Sequence, residues 1–206
     1  YRARRQRQMC IRDSLSSFLL NEFNLKKGDR VSIMMPNILQ YPISTFGILK
    51  SGLTIDNINP LFTERELKAQ LNDSGSETII IAENFASNLQ SILKETSIKN
   101  VLITSVGEFL GLKGIMINFV LRRIRKMVPK YSLPNAVNFK DAINIGAKHK
   151  FKEQKIDKED IAFLQYTGGT TGGVKAAILS HRNVLANAIQ VREWLGENLK
   201  FGEDLA

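Results

Sequence analysis

Residues 167–175 read Thr-Gly-Gly-Thr-Thr-Gly-Gly-Val-Lys, so nine consecutive positions hold four glycines, three threonines and one lysine. Each type suits one part of gripping a polyphosphate. Glycine permits positive φ and lets backbone amides turn inward into an anion-binding concavity; threonine hydroxyls donate to phosphate oxygens; lysine adds a mobile point charge. A plain hairpin requires none of this and would bear the entropic cost of four glycines without return. Two common phosphate loops are excluded by spacing. Gly168 and Gly173 stand as a Walker loop requires, but Val174-Lys175 follows where Lys-Ser or Lys-Thr belongs, and the segment does not spell G-x-G-x-x-G.

The flanks say how such a loop is held. Ile161-Ala-Phe-Leu-Gln-Tyr166 and Ala176-Ala-Ile-Leu-Ser180 are both strand-like, so the loop is expected to join two strands and not a strand to a helix. The next helix is expected to use Ser180 as N-cap and to carry Val184, Leu185, Ile189 and Trp194 on its apolar side, with Trp194 and Phe163 in the core. His181, just past the loop, reads as a capping or packing residue and not as a base; His149 sits among lysines with no constellation around it.

Upstream, helical and strand-like segments alternate. A helix is expected over 14–23 with Ser14 as N-cap, and strands at Arg30–Met35, Leu53–Ile58, Thr78–Ile81 and Val101–Thr104. Between them lie helices at Ile38–Lys50, with Pro42 near its start and Gly52 at its end, and at Phe85–Leu93. A further helix opens on the capping box Thr63-Glu-Arg-Glu66 and ends near Asp73-Ser-Gly75. This order implies βαβ units and an α/β fold with a mostly parallel sheet covered by helices.

The chain has 206 residues and a formal net charge of +9, which invites a polyanion as partner. The excess is localised. Arg2, Arg4, Arg5, Arg7 and Arg12 stand against Asp13 alone, and Lys113, Arg122, Arg123, Arg125, Lys126 and Lys130 fall in a stretch without an acid. The remainder is essentially neutral, which argues against a basic groove tracking a nucleic acid. Residues 1–13 read as a leader, either unstructured and foreign or a basic arm, and residues 14–206 as the domain. The second basic stretch has Ile117, Val120/Leu121, Ile124 and Met127/Val128 at helical spacing, up to Pro129. It fits a helix lying on an anionic membrane, with Arg122, Arg123, Arg125 and Lys126 as contacts, or a surface helix whose bases favour the negative helix end. Cys10 is the sole cysteine, and no apolar run reaches membrane-spanning length; a cytoplasmic setting, peripheral on the membrane's inner face if the helix docks there, is expected.

Tyr166-Thr-Gly-Gly-Thr-Thr-Gly172 with Lys175, followed by Leu179-Ser-His-Arg-Asn183, resembles the signature loop of the AMP-forming acyl-adenylating enzymes. That superfamily comprises acyl-CoA synthetases, luciferases and peptide-synthetase adenylation domains. Gln165, Met35-Pro-Asn-Ile-Leu-Gln-Tyr-Pro42, Asn57-Ile-Asn-Pro-Leu61, Gln70-Leu-Asn-Asp-Ser-Gly75 and Val128-Pro-Lys-Tyr-Ser-Leu-Pro134 are similar to the bacterial long-chain fatty-acid–CoA ligases. The resemblance implies ATP-dependent activation of a fatty acid through an acyl-adenylate to its CoA thioester, releasing AMP and pyrophosphate. It implies ATP or pyrophosphate contacts at Tyr166, Thr167, Gly168, Gly169, Thr170, Thr171, Gly172, Gly173, Val174, Lys175, Ala176 and Ala177. Ala176 stands where the family has glycine, and Val174 where it has proline or alanine. The family's catalytic residues, the ligands of Mg²⁺ and the C-terminal lid fall after this loop. The resemblance therefore implies a fragment of the N-terminal domain, truncated at both ends, inactive alone, with no catalytic or metal-binding residue of its own. Fatty acid, ATP and coenzyme A are the expected partners, with no nucleic acid. Two readings stay open beside it: adenylation of a short-chain, aromatic or amino acid, and a basic lipid- or nucleic-acid-binding module with an inert loop.

Overall fold

The computed structural model describes residues 2–167 and 175–196. Its centre is a seven-stranded sheet of β1 (Arg30–Met34), β2 (Thr54–Asn57), β3 (Thr78–Ala82), β4 (Asn100–Thr104), β5 (Val137–Asn138), β6 (Ile161–Thr167) and β7 (Lys175–Ser180). The spatial order is β5-β4-β3-β1-β2-β6-β7, parallel throughout except for β7, which runs antiparallel to β6 at the edge.

Helices cover both faces because the inner strands alternate between two apolar layers. Val31, Ile33, Ile80 and Leu102 point to one side, where they pack with Leu15, Phe18 and Leu19 of α1 (Arg2–Asn21), Ile48 of α2 (Gln40–Lys50), and Phe139 and Ile143 of α6 (Phe139–Gly146). Met34, Ile79, Ile81 and Val101 point to the other, against Leu67 and Leu71 of α3 (Glu64–Ser74) and Leu89 and Ile92 of α4 (Ala86–Ile92). The expected α/β architecture is the one observed.

The capping box opens α3 as expected: Thr63 Oγ1 accepts from the Glu66 amide, and Glu66 Oε2 accepts from the Thr63 amide at 2.8 Å. Gly75 closes it with φ of 61°, a left-handed turn that favours glycine. α1 departs from expectation. It begins at Arg2, so Ser14 is no N-cap but a buried mid-helix residue whose hydroxyl donates to the Cys10 carbonyl at 2.7 Å. The basic segment set apart as a leader is part of this helix. Ile11 packs on the core, Arg12 lies over the Phe46 ring and Asp13 pairs with Lys50 of α2. At Gly146, where α6 crosses α1, an added Cβ would collide with the Ser14 carbonyl, so this close approach needs glycine.

The basic stretch also forms less helix than expected. α5 (Gly111–Phe119) passes into one π turn, Val120–Ile124, and the chain reverses at Lys126, whose φ is 52°, before reaching Pro129.

Candidate phosphate-binding site

β6 and β7 form a hairpin with Leu164 opposite Ile178, Gln165 opposite Ala177, Tyr166 opposite Ala176 and Thr167 opposite Lys175. The expectation of two strands joined by the loop holds. Gly168, Gly169, Thr170, Thr171, Gly172, Gly173 and Val174 lie outside the described residues. Their two ends do not: Thr167 and Lys175 are exposed and face each other at the carboxyl edge of the parallel strands, where open α/β sheets take ligands.

The root of the hairpin is tied to its neighbours by side chains. Tyr166 is half-buried and its hydroxyl donates to Asp73 Oδ2 of α3 at 2.6 Å. Burial, with the Asp73 bond second, pushes the phenol well above its usual range, so it stays a neutral donor. Beneath it, Asp56 of β2 is fully buried and accepts from Ser32 Oγ at 2.7 Å and from Gln70 Nε2 at 2.6 Å. Burial raises the Asp56 carboxyl; the hydrogen bonds from Ser32 and Gln70 and the Arg30 charge oppose that rise. Gln70 also donates to the Asn57 carbonyl, and Tyr41 donates to Asn57 Oδ1 at 3.2 Å. A cavity of about 340 Å³ opens above this network, bordered by Met35, Asn37, Asn57, Asn59, Gln165 and Tyr166.

Sequence reasoning did not single out Asp56, Gln70 and Asp73 as a network. The signal was an acid inside the apolar run Leu53–Ile58, and a polar Gln70 on the buried side of a helix otherwise anchored by Leu67 and Leu71; Asp73 is exposed and gives no such signal. Ser180 is the N-cap of α7 (His181–Leu195), through a capping box with Asn183, so His181 does not provide the cap. The His181 imidazole Nε2 is buried without a hydrogen-bond partner, and desolvation lowers its pKa against the pull of Asp160. His149 bonds Glu22 at 2.7 Å. Phe163 packs against the core, but Trp194 is 86% exposed, and Leu185 and Ile189 are exposed with it. Among the described residues, α7 packs mainly on β6 and β7 at the sheet edge, which leaves Leu185, Ile189 and Trp194 exposed.

Of the four bases assigned to a membrane, Arg122 is engaged with the body, its guanidinium donating to both oxygens of buried Glu83 at 2.7–3.1 Å. Arg123, Arg125 and Lys126 are exposed, with no carboxylate partner among the described residues. No group of three or more His, Cys, Asp or Glu among the described residues is placed to hold a metal ion.

The model of the family described as AMP-binding enzyme matches residues 11–204. The chain belongs to this family. Curated relatives of this chain include the long-chain-fatty-acid–CoA ligases of Salmonella typhimurium, 48% identical over 93% of this chain and 34% of theirs, and of Haemophilus influenzae, 48% identical over 89% and 33%. The chain thus spans about a third of the length of the curated relatives it matches. Among solved structures, a long-chain-fatty-acid–CoA ligase from Archaeoglobus fulgidus superposes with a TM-score of 0.70 at 25% identity, over 90% of this chain and 31% of that one. An anthranilate CoA ligase in complex with anthranoyl-AMP shares the fold, with a TM-score of 0.68 at 20% identity over 89% and 31%.

Proposed function

We propose that this AMP-binding chain is the phosphate-gripping part of a long-chain-fatty-acid–CoA ligase, and that the enzyme works in the cytoplasm, peripheral on the membrane's inner face. The carrying observation is the 48% identity to ligases of that name over nearly the whole chain. In the proposed reaction a carboxylate oxygen of the fatty acid attacks the α-phosphorus of ATP. The bond from that phosphorus to the bridging oxygen breaks, and acyl-AMP and pyrophosphate form. The thiol of coenzyme A then loses its proton, its sulfur bonds the acyl carbon, and AMP departs.

In this reading Thr167 to Lys175 hold the β- and γ-phosphates, with Tyr166, Ala176 and Ala177 as the hairpin's root. Hydroxyls and amides of Thr170 and Thr171 and the charge of Lys175 meet negative charge as it builds on the leaving pyrophosphate, where preorganised donors contribute most. The register supports this arrangement, since it pairs Thr167 with Lys175 across the two strands. Mg²⁺ accompanies ATP in such chemistry, but no group of three or more His, Cys, Asp or Glu among the described residues is placed to hold it.

The test is palmitate-dependent exchange of pyrophosphate into ATP by the full-length protein. Lys175→Ala or Thr171→Ala should lower the exchange rate by about a hundredfold with the unfolding midpoint unchanged. Exchange that answers to short or aromatic acids and not to palmitate would move the substrate class; exchange with no acid at all would sink the reading.

A further inference from the structure

We propose that the outer face of α5 and the turn after it seat this chain on an anionic lipid bilayer. This rests on the peripheral location above and adds the surface and its orientation. Leu112, Ile115, Met116 and Phe119 are 87, 68, 64 and 58% exposed, and their spacing makes one apolar stripe along the helix. The opposite face is held by the body. Gly114 meets the Gly107 backbone too closely for any Cβ, and Asn118 accepts from the Gly107 amide at 2.8 Å and donates to Ser105 Oγ at 2.9 Å. Downstream, Arg122 grips Glu83 and the Asn84 side chain donates to the Met127 carbonyl at 3.0 Å. Turning the stripe inward would break all of these contacts.

Charge selects the occupant. Lys113, Arg123, Arg125, Lys126 and Lys130 are exposed around the stripe, none has a carboxylate partner among the described residues, and no acid occurs between Lys113 and Lys130. An anionic bilayer offers both halves of the match, an acyl boundary for the stripe and phosphates for the cations. Exposed Ile124 and Met127 extend the apolar side past the π turn. An apolar cavity of about 430 Å³, lined by Ile38, Leu39, Pro42, Val106 and Leu110, begins where α5 does. Arg122 is therefore an anchor of the surface and not one of its headgroup contacts.

The experiment places an environment-sensitive fluorophore at Met116→Cys in a Cys10→Ser background, with a second label at Lys26→Cys, before β1 at the amino end of the strands. Vesicles are phosphatidylcholine alone or phosphatidylcholine with phosphatidylglycerol. The Met116 label should shift to the blue on phosphatidylglycerol vesicles only, and the Lys26 label should not move. Replacing Lys113, Arg123 and Lys126 by Gln should weaken binding by about a hundredfold, each cation being worth about fivefold near such a surface. Met116→Ser with Phe119→Ser should weaken it about tenfold or more at every salt concentration. A Met116 label that stays in water while the chain binds would assign adsorption to the arginines of α1 and overturn the proposal. So would a blue shift that grows with protein concentration and needs no vesicles, or an equal shift on duplex DNA. Nucleotide turnover is not read, so failure here leaves the adenylation reading standing.

Discussion

A carboxylate buried between sheet and helix, as Asp56 is, must be matched donor for donor. Ser32 and Gln70 do this, and removing the acceptor strands both. Asp56→Ala should therefore lower stability by about 2–4 kcal/mol, read from the denaturation midpoint at constant slope. The raised carboxyl fixes a sign. Because Asp56 holds its proton more tightly folded than its ordinary 3.8, its contribution is fully present below that value and fades as pH rises through the folded one. Asp56→Asn should lack that decline. His181 acts in the opposite sense: its folded pKa lies below 6.5, so stability is present above 6.5 and is lost as pH falls towards the folded value. His181→Gln should flatten the stability curve over that acid window; an unchanged curve would show that His181 is not the group responsible. None of this coupling was legible in the sequence, where Asp56 and Gln70 lie on different elements and only the fold shows which donor meets which acceptor.

Elements were more legible where local rules and tertiary packing agree. Thr63 and Glu66 mark the start of α3 because the cap is built from neighbours in sequence, and the run Thr78–Ile81 reads as a buried strand because both faces are apolar. The misread boundaries lie where packing decides. α1 extends back through an arginine-rich segment that carries no apolar stripe, supported by Ile11, Arg12 and Asp13 against α2 and the core. β5, only Val137–Asn138, has too little sequence to announce itself. The α1–α6 crossing gives a sharp test of the extended helix's seat. Gly146→Ala should cost about 1–3 kcal/mol, because the obstructing atom is the backbone carbonyl of Ser14 and cannot rotate away. A control Gly111→Ala, in open space but at φ of 59°, should cost only about 1 kcal/mol, from strain alone.

At the scale of the molecule, the nine excess positive charges separate into the start of α1, the segment around α5 and a nearly neutral body, so bulk charge says little about what the fold grips. Two outward apolar faces differ accordingly. The α5 stripe is flanked by exposed cations with no carboxylate partner among the described residues, whereas on α7, which carries exposed Leu185, Ile189 and Trp194, Arg182 is paired with Glu159. The hairpin's attachment has a kinetic consequence. β6 joins the sheet through Ile55 opposite Phe163 and Asp56 opposite Leu164, partners half the chain apart, whereas β6 and β7 close on each other locally. Local pairing outruns distant pairing by orders of magnitude, so the hairpin should form early and dock onto β2 late. Pulse-labelling hydrogen exchange during refolding should protect the amides shared by β6 and β7 before those shared by β2 and β6. The proposed phosphate site would then mature in two stages, its paired strands first and their floor on β2 afterwards, so a hairpin that has closed on itself is not yet a site.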